Sequence, residues 1–161
     1  MTKETGIFGA GCFWGVEESF LNTDGVTGTE VGYIGGVNSN PTYEDVCYGN
    51  TNHAEAVRVF YDSEIISYEG LLDVFFNIHN PTTLNRQGYD IGSQYRSAIF
   101  YLNDKQKTIS EEKIKMLNEG TFQNKIITTI EEATRFWIAE DYHQKYICKK
   151  KDVQILVRVQ H

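Results

Sequence analysis

The chain has 161 residues, of which 40% are hydrophobic and 23% charged, so it can bury a substantial core and is unlike a disordered protein. Its formal net charge of −7 repels phosphate backbones and anionic membrane surfaces, which argues against nucleic-acid and membrane partners. The sequence contains neither the ~18 consecutive apolar residues of a membrane span nor an N-terminal secretory pattern. We therefore expect one soluble, cytoplasmic domain over residues 1–161, acting as a monomer.

Apolar periodicity in the first part of the chain predicts strands interrupted by one amphipathic helix and a long polar loop. The predicted elements are a strand at 7–11, a helix at 14–21, a strand-rich stretch at 25–36, a loop at 38–52 with a helical turn at 43–47, and a strand at 56–62. Loops of this length in a compact domain are often functional.

The remainder of the chain continues the alternation of helices and strands. The predicted elements are a helix at 67–79 capped by Ser67, a loop at 80–95, a strand at 97–102, a helix at 104–120 ended by Gly120, a strand at 126–130 and a helix at 139–149. The order predicts an α+β fold with a split βαβ, ferredoxin-like core, in which helices pack on a mixed sheet. The tail Val153–Val159 is apolar and suggests an edge strand or a dimer contact.

The three cysteines, Cys12, Cys47 and Cys148, form an odd set without a C-x-x-C pair. This pattern argues against a secreted disulfide scaffold and against a zinc site, so we expect no bound metal. In a reducing compartment all three are expected as free thiols.

Cys12 is the strongest candidate for a nucleophile because it falls at the junction of the first strand and the first helix. The helix dipole and free backbone N–H groups at this point favour a thiolate, which predicts a lowered pKa for the thiol. Gly11 and Gly15 leave backbone room beside the sulfur. Phe13 and Trp14 add two large apolar faces, which indicates an apolar or sulfur-bearing substrate. The alternative for a single cysteine in a helix is a buried, inert thiol.

The segment Gly9–Gly15 also approaches the glycine pattern of dinucleotide-binding folds, with Glu30 about 20 residues later as a possible ribose partner. A pyrophosphate requires small residues where the backbone approaches it, and Phe13 and Trp14 stand there instead. A nicotinamide-binding oxidoreductase is therefore a weak alternative. A module that binds methionine-rich or oxidised peptides without chemistry is another.

Several motifs, spaced along most of the chain, together resemble the A-type peptide methionine sulfoxide reductase family. The motif around the thiol is Gly11-Cys12-Phe13-Trp14-Gly15, followed by Glu17. The others, in chain order, are Val31–Gly36, Asn40–Tyr43, Val46–Cys47, His53–Val57, Gln94–Ser97 and Ala139–Gln144. The similarity runs from about residue 5 to residue 147.

The resemblance implies an enzyme that reduces the S-epimer of methionine sulfoxide, free or in peptides and proteins. The Cys12 thiolate is implied as the group that attacks the sulfoxide sulfur, and Glu55 as the acid that protonates the oxygen. Such an acid must stay protonated near neutral pH, which requires an apolar or hydrogen-bonded site. Phe13 and Trp14 are implied as the cage for the S-methyl group.

Three further side chains in the long loops are implied as parts of the same pocket. Tyr43 and Tyr95 are implied as hydroxyl donors to the sulfoxide oxygen, and Asp90 as a polar partner. His53, which lies next to the acid in sequence, is expected to shape the pocket rather than to act as a base.

The implied product is a Cys12 sulfenic acid, which a second thiol must reduce. Cys148 is the implied resolving cysteine, forming a disulfide that thioredoxin opens, and Cys47 is a lesser candidate. If neither reaches Cys12, an external thiol such as glutaredoxin with glutathione completes the cycle. The expected reductants are therefore external thiols, and no bound cofactor is expected.

Overall fold

The structure, a computed structural model, describes residues 3–48 and 50–151. The apolar tail Val153–Val159, with its predicted edge strand or dimer contact, lies outside these residues. Among the residues described, none of the helices combines the length and apolar character needed to cross a membrane.

The described residues contain short and long strands connected by four helices and two 3-10 turns. The strands are β1 Lys3–Ala10, β2 Val26–Ile34, β3 Ala54–Asp62, β4 Arg86–Gln87, β5 Asp90–Ile91, β6 Ser97–Tyr101, β7 Thr129–Glu132 and β8 Trp137–Ile138. The helices are α1 Phe13–Leu21, α2 Tyr43–Tyr48, α3 Tyr68–Asn77 and α4 Asp104–Glu119. The 3-10 turns are Ser93–Tyr95 and Asp141–His143, and residues 146–151 are also helical.

Six of the strands form one sheet in the order β7-β6-β1-β3-β2-β8. The central strands β6, β1, β3 and β2 pair antiparallel, whereas β7 runs parallel to β6 at one edge. The connection β1-α1-β2 passes over β3, and the connection β3-α3-β6 passes over β1. This is the split βαβ arrangement on a mixed sheet, so the predicted fold class is confirmed.

The alternation of side chains along β1 divides the core between the two faces of the sheet. On the helix side, the ring of Phe8 stacks on Phe20 of α1 at 5.3 Å and contacts Phe75 of α3 at 5.5 Å between centroids. On the other side, Ile7 belongs to a second cluster that includes Phe100. All five side chains are buried, so both helices are fixed on one face and the β1–α1 turn has a defined position.

Two helices begin at side-chain caps. Ser67 Oγ accepts a hydrogen bond from the Gly70 N–H at 3.0 Å, which confirms the predicted cap of α3. Asn103 Oδ1 accepts from the Gln106 N–H at 2.9 Å at the start of α4. Helix α4 ends at Glu119, directly before the predicted stop at Gly120.

The helix predicted at 139–149 is wrong. The chain forms a 3-10 turn at Asp141–His143 and becomes helical only at 146–151, because this segment bonds to the edge of β2 instead. The Ala139 N–H donates to the Val31 carbonyl at 3.0 Å. The Gln144 side chain bonds to both the N–H and the carbonyl of Val31, each at 2.9 Å.

Two smaller differences concern the strand at 126–130 and the loop at 80–95. The strand is displaced to Thr129–Glu132, because the Ile127 N–H donates to the Pro81 carbonyl at 2.9 Å rather than to the sheet. The loop contains the two-stranded hairpin of β4 and β5.

Candidate active site

Cys12 lies in the turn between β1 and α1, where it was predicted, and its side chain is partly exposed. Its carbonyl accepts from the Val16 N–H at 3.5 Å, so it stands directly before the first turn of the helix. Gly11 has φ +99°, and a Cβ on it would lie 2.9 Å from Gln87. Glycine is therefore required for the backbone to make this turn against the β4–β5 hairpin.

The predicted direction of the Cys12 pKa is wrong. Burial raises the pKa of the thiol to about 11, although the backbone N–H of Trp14 bonds to it and lowers the pKa. The negative charges of Glu55 and Asp90 raise the pKa further, and the N–H of Gly15 offsets them only in part. Desolvation and two carboxylates thus outweigh the helix N-terminus, and the substrate-free thiol is protonated at neutral pH.

Glu55 is a buried carboxyl in β3, with 1% of its surface exposed. Its Oε1 accepts from the Phe13 N–H at 3.2 Å, while its buried Oε2 has no hydrogen-bond partner within residues 3–48 and 50–151. Burial raises the pKa of Glu55 to about 8 against the effect of the Phe13 bond, and the Asp90 charge adds to the rise. The carboxyl is therefore mostly neutral at pH 7, and its Oε2 can carry a proton.

Tyr43 and Tyr95 are half-buried, and both lie close enough to Glu55 for its charge to affect their pKa. Burial raises the pKa of each phenol well above its usual range, and the Glu55 charge acts in the same direction. The hydroxyl of Tyr43 donates to the sulfur of Cys47, while Tyr95 is also within range of Cys12. The structure thus places two neutral O–H groups near Glu55, and that of Tyr95 also near Cys12.

Phe13 and Trp14 differ in their exposure. The ring of Phe13 is buried and lies 5.8 Å from Tyr33 and 5.1 Å from His143 between centroids. Trp14 is half-buried, stacks on Tyr146 at 3.9 Å, and donates its indole N–H to His143 Nδ1 at 2.9 Å. The two rings beside the thiol are therefore held by aromatic neighbours from the C-terminal segment.

Glu140 and His143 contact residues of the candidate site, although sequence reasoning assigns no role to either. Glu140 accepts from the Tyr33 hydroxyl at 2.9 Å and from the Tyr43 N–H at 3.0 Å. His143 accepts from Trp14, as described above. Both lie in the motif Ala139–Gln144, one of the motifs on which the family resemblance rests. That motif is the feature of the sequence that could have identified them.

His53 is hydrogen-bonded to the backbone of the loop that follows β2. It is buried at 2% exposure, its Nδ1 accepts from the Gly36 N–H at 3.0 Å, and its Nε2 donates to the Asn38 carbonyl at 2.7 Å. Because both ring nitrogens are engaged with the backbone, neither is available as a base.

Arg96 connects the two long loops that carry Tyr43 and Tyr95. Its guanidinium donates to the carbonyls of Asn52 and Ser93, each at 3.0 Å, and pairs with Glu131 at 3.2 Å. The loop that carries Tyr95 is thereby tied to the chain that leads into β3. Sequence reasoning assigns no role to Arg96, although it lies in the motif Gln94–Ser97.

Cys148 and Cys12 are not bonded to each other in the structure. The three cysteines are free thiols, and no hydrogen bond or disulfide connects these two. Cys148 is exposed on the helical segment 146–151, which lies along α1 through the stacking of Tyr146 on Trp14. Within the part of the chain described, no group of three or more His, Cys, Asp or Glu side chains is placed to hold a metal ion.

Removing the charge of Asp90 should lower two pKa values at once. Because this exposed carboxylate raises the pKa of both Cys12 and Glu55, we expect Asp90→Asn to shift both downward. The pH dependence of Cys12 alkylation by iodoacetamide measures the first shift, and carbon NMR of labelled glutamate measures the second. Asp24→Asn, which removes an exposed charge between α1 and β2, is the control. Unchanged values in Asp90→Asn would contradict the assignment.

Comparison with known proteins agrees with this geometry. The sequence model of the family described as Peptide methionine sulfoxide reductase matches residues 4–161. The peptide methionine sulfoxide reductase MsrA of Methanothermobacter thermautotrophicus is 56% identical over 147 residues, which cover 91% of this chain and 87% of that protein.

Solved structures give the same result. Mxr1 from Saccharomyces cerevisiae in reduced form is 38% identical with a TM-score of 0.84, over 91% of this chain and 85% of that one. Mxr1 in complex with Trx2 is 29% identical with a TM-score of 0.61, over 89% of this chain and 84% of that one. The chain therefore belongs to the peptide methionine sulfoxide reductase family and is an oxidoreductase that reduces methionine sulfoxide.

Proposed function

We propose that this enzyme reduces the S-epimer of methionine sulfoxide, free or within polypeptides, with Cys12 as nucleophile and Glu55 as acid. The observation that carries the proposal is the buried Glu55 carboxyl, whose pKa is raised to about 8 and whose Oε2 has no partner among the described residues. A neutral carboxyl within electrostatic range of a partly exposed thiol supplies both groups that sulfoxide reduction requires.

In the proposed reaction, the thiolate sulfur of Cys12 attacks the sulfoxide sulfur while Glu55 gives its proton to the oxygen. The sulfur–oxygen bond of the substrate breaks, and the hydroxyl is transferred to the Cys12 sulfur. The substrate sulfur gains two electrons and becomes a thioether, while Cys12 loses two and becomes a sulfenic acid. The proton of the resting thiol is released to solvent, from which the Glu55 carboxylate is protonated again.

The other site residues stabilise charge or bind the substrate. Tyr43 and Tyr95 donate hydrogen bonds to the oxygen as it gains negative charge. Phe13 and Trp14 form the apolar side of the site that accepts the S-methyl group. Asp90 contributes through its charge, which helps to keep Glu55 protonated. A peptide-binding module would require none of these proton donors, and a nicotinamide-dependent enzyme would require a pyrophosphate site where Phe13 and Trp14 stand instead.

Stereoselectivity tests the proposed reaction directly. The enzyme is incubated with dithiothreitol and either hand of methyl p-tolyl sulfoxide, and the remaining sulfoxide is quantified by chiral chromatography. We expect only the S hand to be consumed, because a site with fixed positions for methyl group, oxygen and nucleophile accepts one configuration at sulfur. Equal consumption of both hands, or consumption of neither, would refute the proposal.

For the recycling step, we propose that Cys148 attacks the Cys12 sulfenic acid. The Cys148–Cys12 disulfide forms with loss of water, and a dithiol protein reduces it to two thiols while its own cysteines become a disulfide. Thioredoxin is the proposed dithiol, supported by the solved complex of Mxr1 with Trx2. The disulfide requires the Cα atoms of the two cysteines to come within about 7 Å of each other, with helix 146–151 in a position that allows it.

A Cys148→Ser variant separates internal resolution from reduction by an external thiol. One equivalent of sulfoxide is added without reductant, and the products are identified by mass spectrometry. We expect a Cys12–Cys148 disulfide in the wild type and a Cys12 sulfenic acid, trapped by dimedone, in Cys148→Ser. With thioredoxin as the only reductant, the variant should lose most of its turnover. A sulfenic acid that persists in the wild type would instead favour glutaredoxin with glutathione.

A further inference from the structure

We propose that Glu140 is a positioning residue, whose carboxylate fixes the first residue of α2 so that the Tyr43 hydroxyl is in place for the sulfoxide oxygen. The inference rests on the proposed function, in which Tyr43 donates to that oxygen. It assigns a role to a side chain of the C-terminal segment that does not itself touch the substrate.

The need for such a residue follows from the length of α2, which has only six residues. A helix this short is not stable by itself, and its first N–H groups have no partner inside the helix. Glu140 Oε2 accepts one of them, the Tyr43 N–H, at 3.0 Å. The backbone of Tyr43 is thus held by a charge-assisted bond from outside the helix.

The second oxygen of the same carboxylate is anchored on the central sheet. Glu140 Oε1 accepts from the hydroxyl of Tyr33 at 2.9 Å, and Tyr33 is fully buried in β2. In the antiparallel pairing of β2 with β3, Tyr33 lies directly opposite Glu55. One carboxylate therefore connects the strand pair that carries the proposed acid with the helix that carries the proposed hydroxyl donor.

Glu140 is itself held independently of Tyr43. The neighbouring Ala139 N–H and the Gln144 side chain both bond to the backbone of Val31. Burial would raise the pKa of Glu140, but the bonds from the Tyr43 N–H and the Tyr33 hydroxyl lower it below its usual range. The group is a carboxylate on a fixed backbone, which is what a positioning role requires.

The two substitutions of Glu140 have different expected effects. Glu140→Ala removes both acceptors, and we expect kcat to fall by about 3- to 10-fold, the range for one lost hydrogen bond, with less change in KM. Glu140→Gln keeps one oxygen for the Tyr43 N–H and offers an amide donor to Tyr33. It should therefore retain activity within about 3-fold of the wild type. Glu44→Ala, which alters an exposed side chain of α2, is the matched control and should leave kcat unchanged.

A double-mutant cycle with Tyr43→Phe provides the decisive measurement. Tyr43→Phe keeps the backbone N–H and removes only the hydroxyl, so it should reproduce the kcat loss of Glu140→Ala. If Glu140 acts through that hydroxyl, the double variant should be less than about 2-fold slower than Tyr43→Phe alone. Rates are measured in single turnovers, and circular dichroism confirms that each variant is folded. Should Glu140→Ala not fold, Glu140→Met replaces it, since it keeps the length and removes both acceptors.

Each outcome decides the inference. The inference is overturned if the two rate losses multiply in the double variant. It is also overturned if either Tyr43→Phe or Glu140→Ala is as fast as the wild type. A Glu140→Gln variant as slow as Glu140→Ala would overturn it too, because the charge rather than the bond would then matter. Absence of stereoselective turnover in the wild type would refute the proposed function instead, so the two failures are distinguishable.

Discussion

Cys12→Ser should abolish sulfoxide reduction, with a loss on the order of 10⁶-fold in the single-turnover rate. A serine hydroxyl at this position is far less acidic and less nucleophilic toward sulfur than a thiol, and it cannot form a sulfenic acid. The measurement is rapid-quench formation of methionine from the S-sulfoxide with enzyme in excess.

The other cysteines provide the control for this experiment. Cys148→Ser should form methionine in a single turnover at the wild-type rate, because it acts only after the sulfenic acid has formed. Labelling with dimedone should then mark Cys12 and no other residue. Methionine formation by Cys12→Ser, or dimedone on Cys47 instead, would show that the nucleophile is misassigned.

Glu55→Gln should lower the single-turnover rate by about 10²- to 10⁴-fold, the usual contribution of a general acid. Glutamine keeps an oxygen that can accept from the Phe13 N–H but has no acidic proton for the substrate oxygen. The matched control is Glu30→Gln, a carboxylate that pairs with Arg58 on the same sheet at 2.7 Å. A Glu55→Gln enzyme with near wild-type rate would remove Glu55 from the mechanism.

The pH dependence of kcat/KM follows from the two raised pKa values. Below pH 8 both Glu55 and Cys12 are protonated in the free enzyme. The reactive form has a neutral Glu55 and a Cys12 thiolate, so the free enzyme must lose one proton to reach it. kcat/KM should therefore rise about tenfold per pH unit up to about pH 8 and then level off until Cys12 titrates near 11.

The Glu55→Gln variant should have a different pH profile. It lacks the break near pH 8, and its low rate should rise up to the pKa of Cys12, which falls when the negative charge is removed. A wild-type rate that is independent of pH between 6 and 8 would contradict the raised pKa of Glu55.

Much of this site could be predicted because it depends on local sequence. The turn at Gly11 and Cys12 follows from a strand pattern that ends in small residues, and the start of α1 follows from an apolar repeat. The split βαβ order follows from alternating periodicities of the same kind. Tyr43 and Tyr95, which the family resemblance implies as site residues, lie in the two predicted long loops, and the structure brings both near Glu55.

What could not be predicted depends on contacts between distant segments. The helix N-terminus beside Cys12 is visible in the local sequence, whereas the burial of the thiol is not. The family resemblance implies that Glu55 and Asp90 share the pocket, but not how far their charges raise the pKa of the thiol. For this reason the direction of its pKa shift was wrong. The helix at 139–149 failed for the same reason, because Gln144 bonds to Val31 across 113 residues. Local helix propensity does not account for hydrogen bonds that a segment forms with distant parts of the chain.

The stacking of Trp14 on Tyr146 gives the molecule an internal optical reporter. The chain has only two tryptophans, and the other, Trp137, lies in β8 at one edge of the sheet. Departure of helix 146–151 from α1 would separate the indole from the phenol ring, so the emission of Trp14 would change in both wavelength and intensity. Stopped-flow fluorescence of a Trp137→Phe enzyme could therefore follow, in real time, any movement of helix 146–151 while a Cys12–Cys148 disulfide forms.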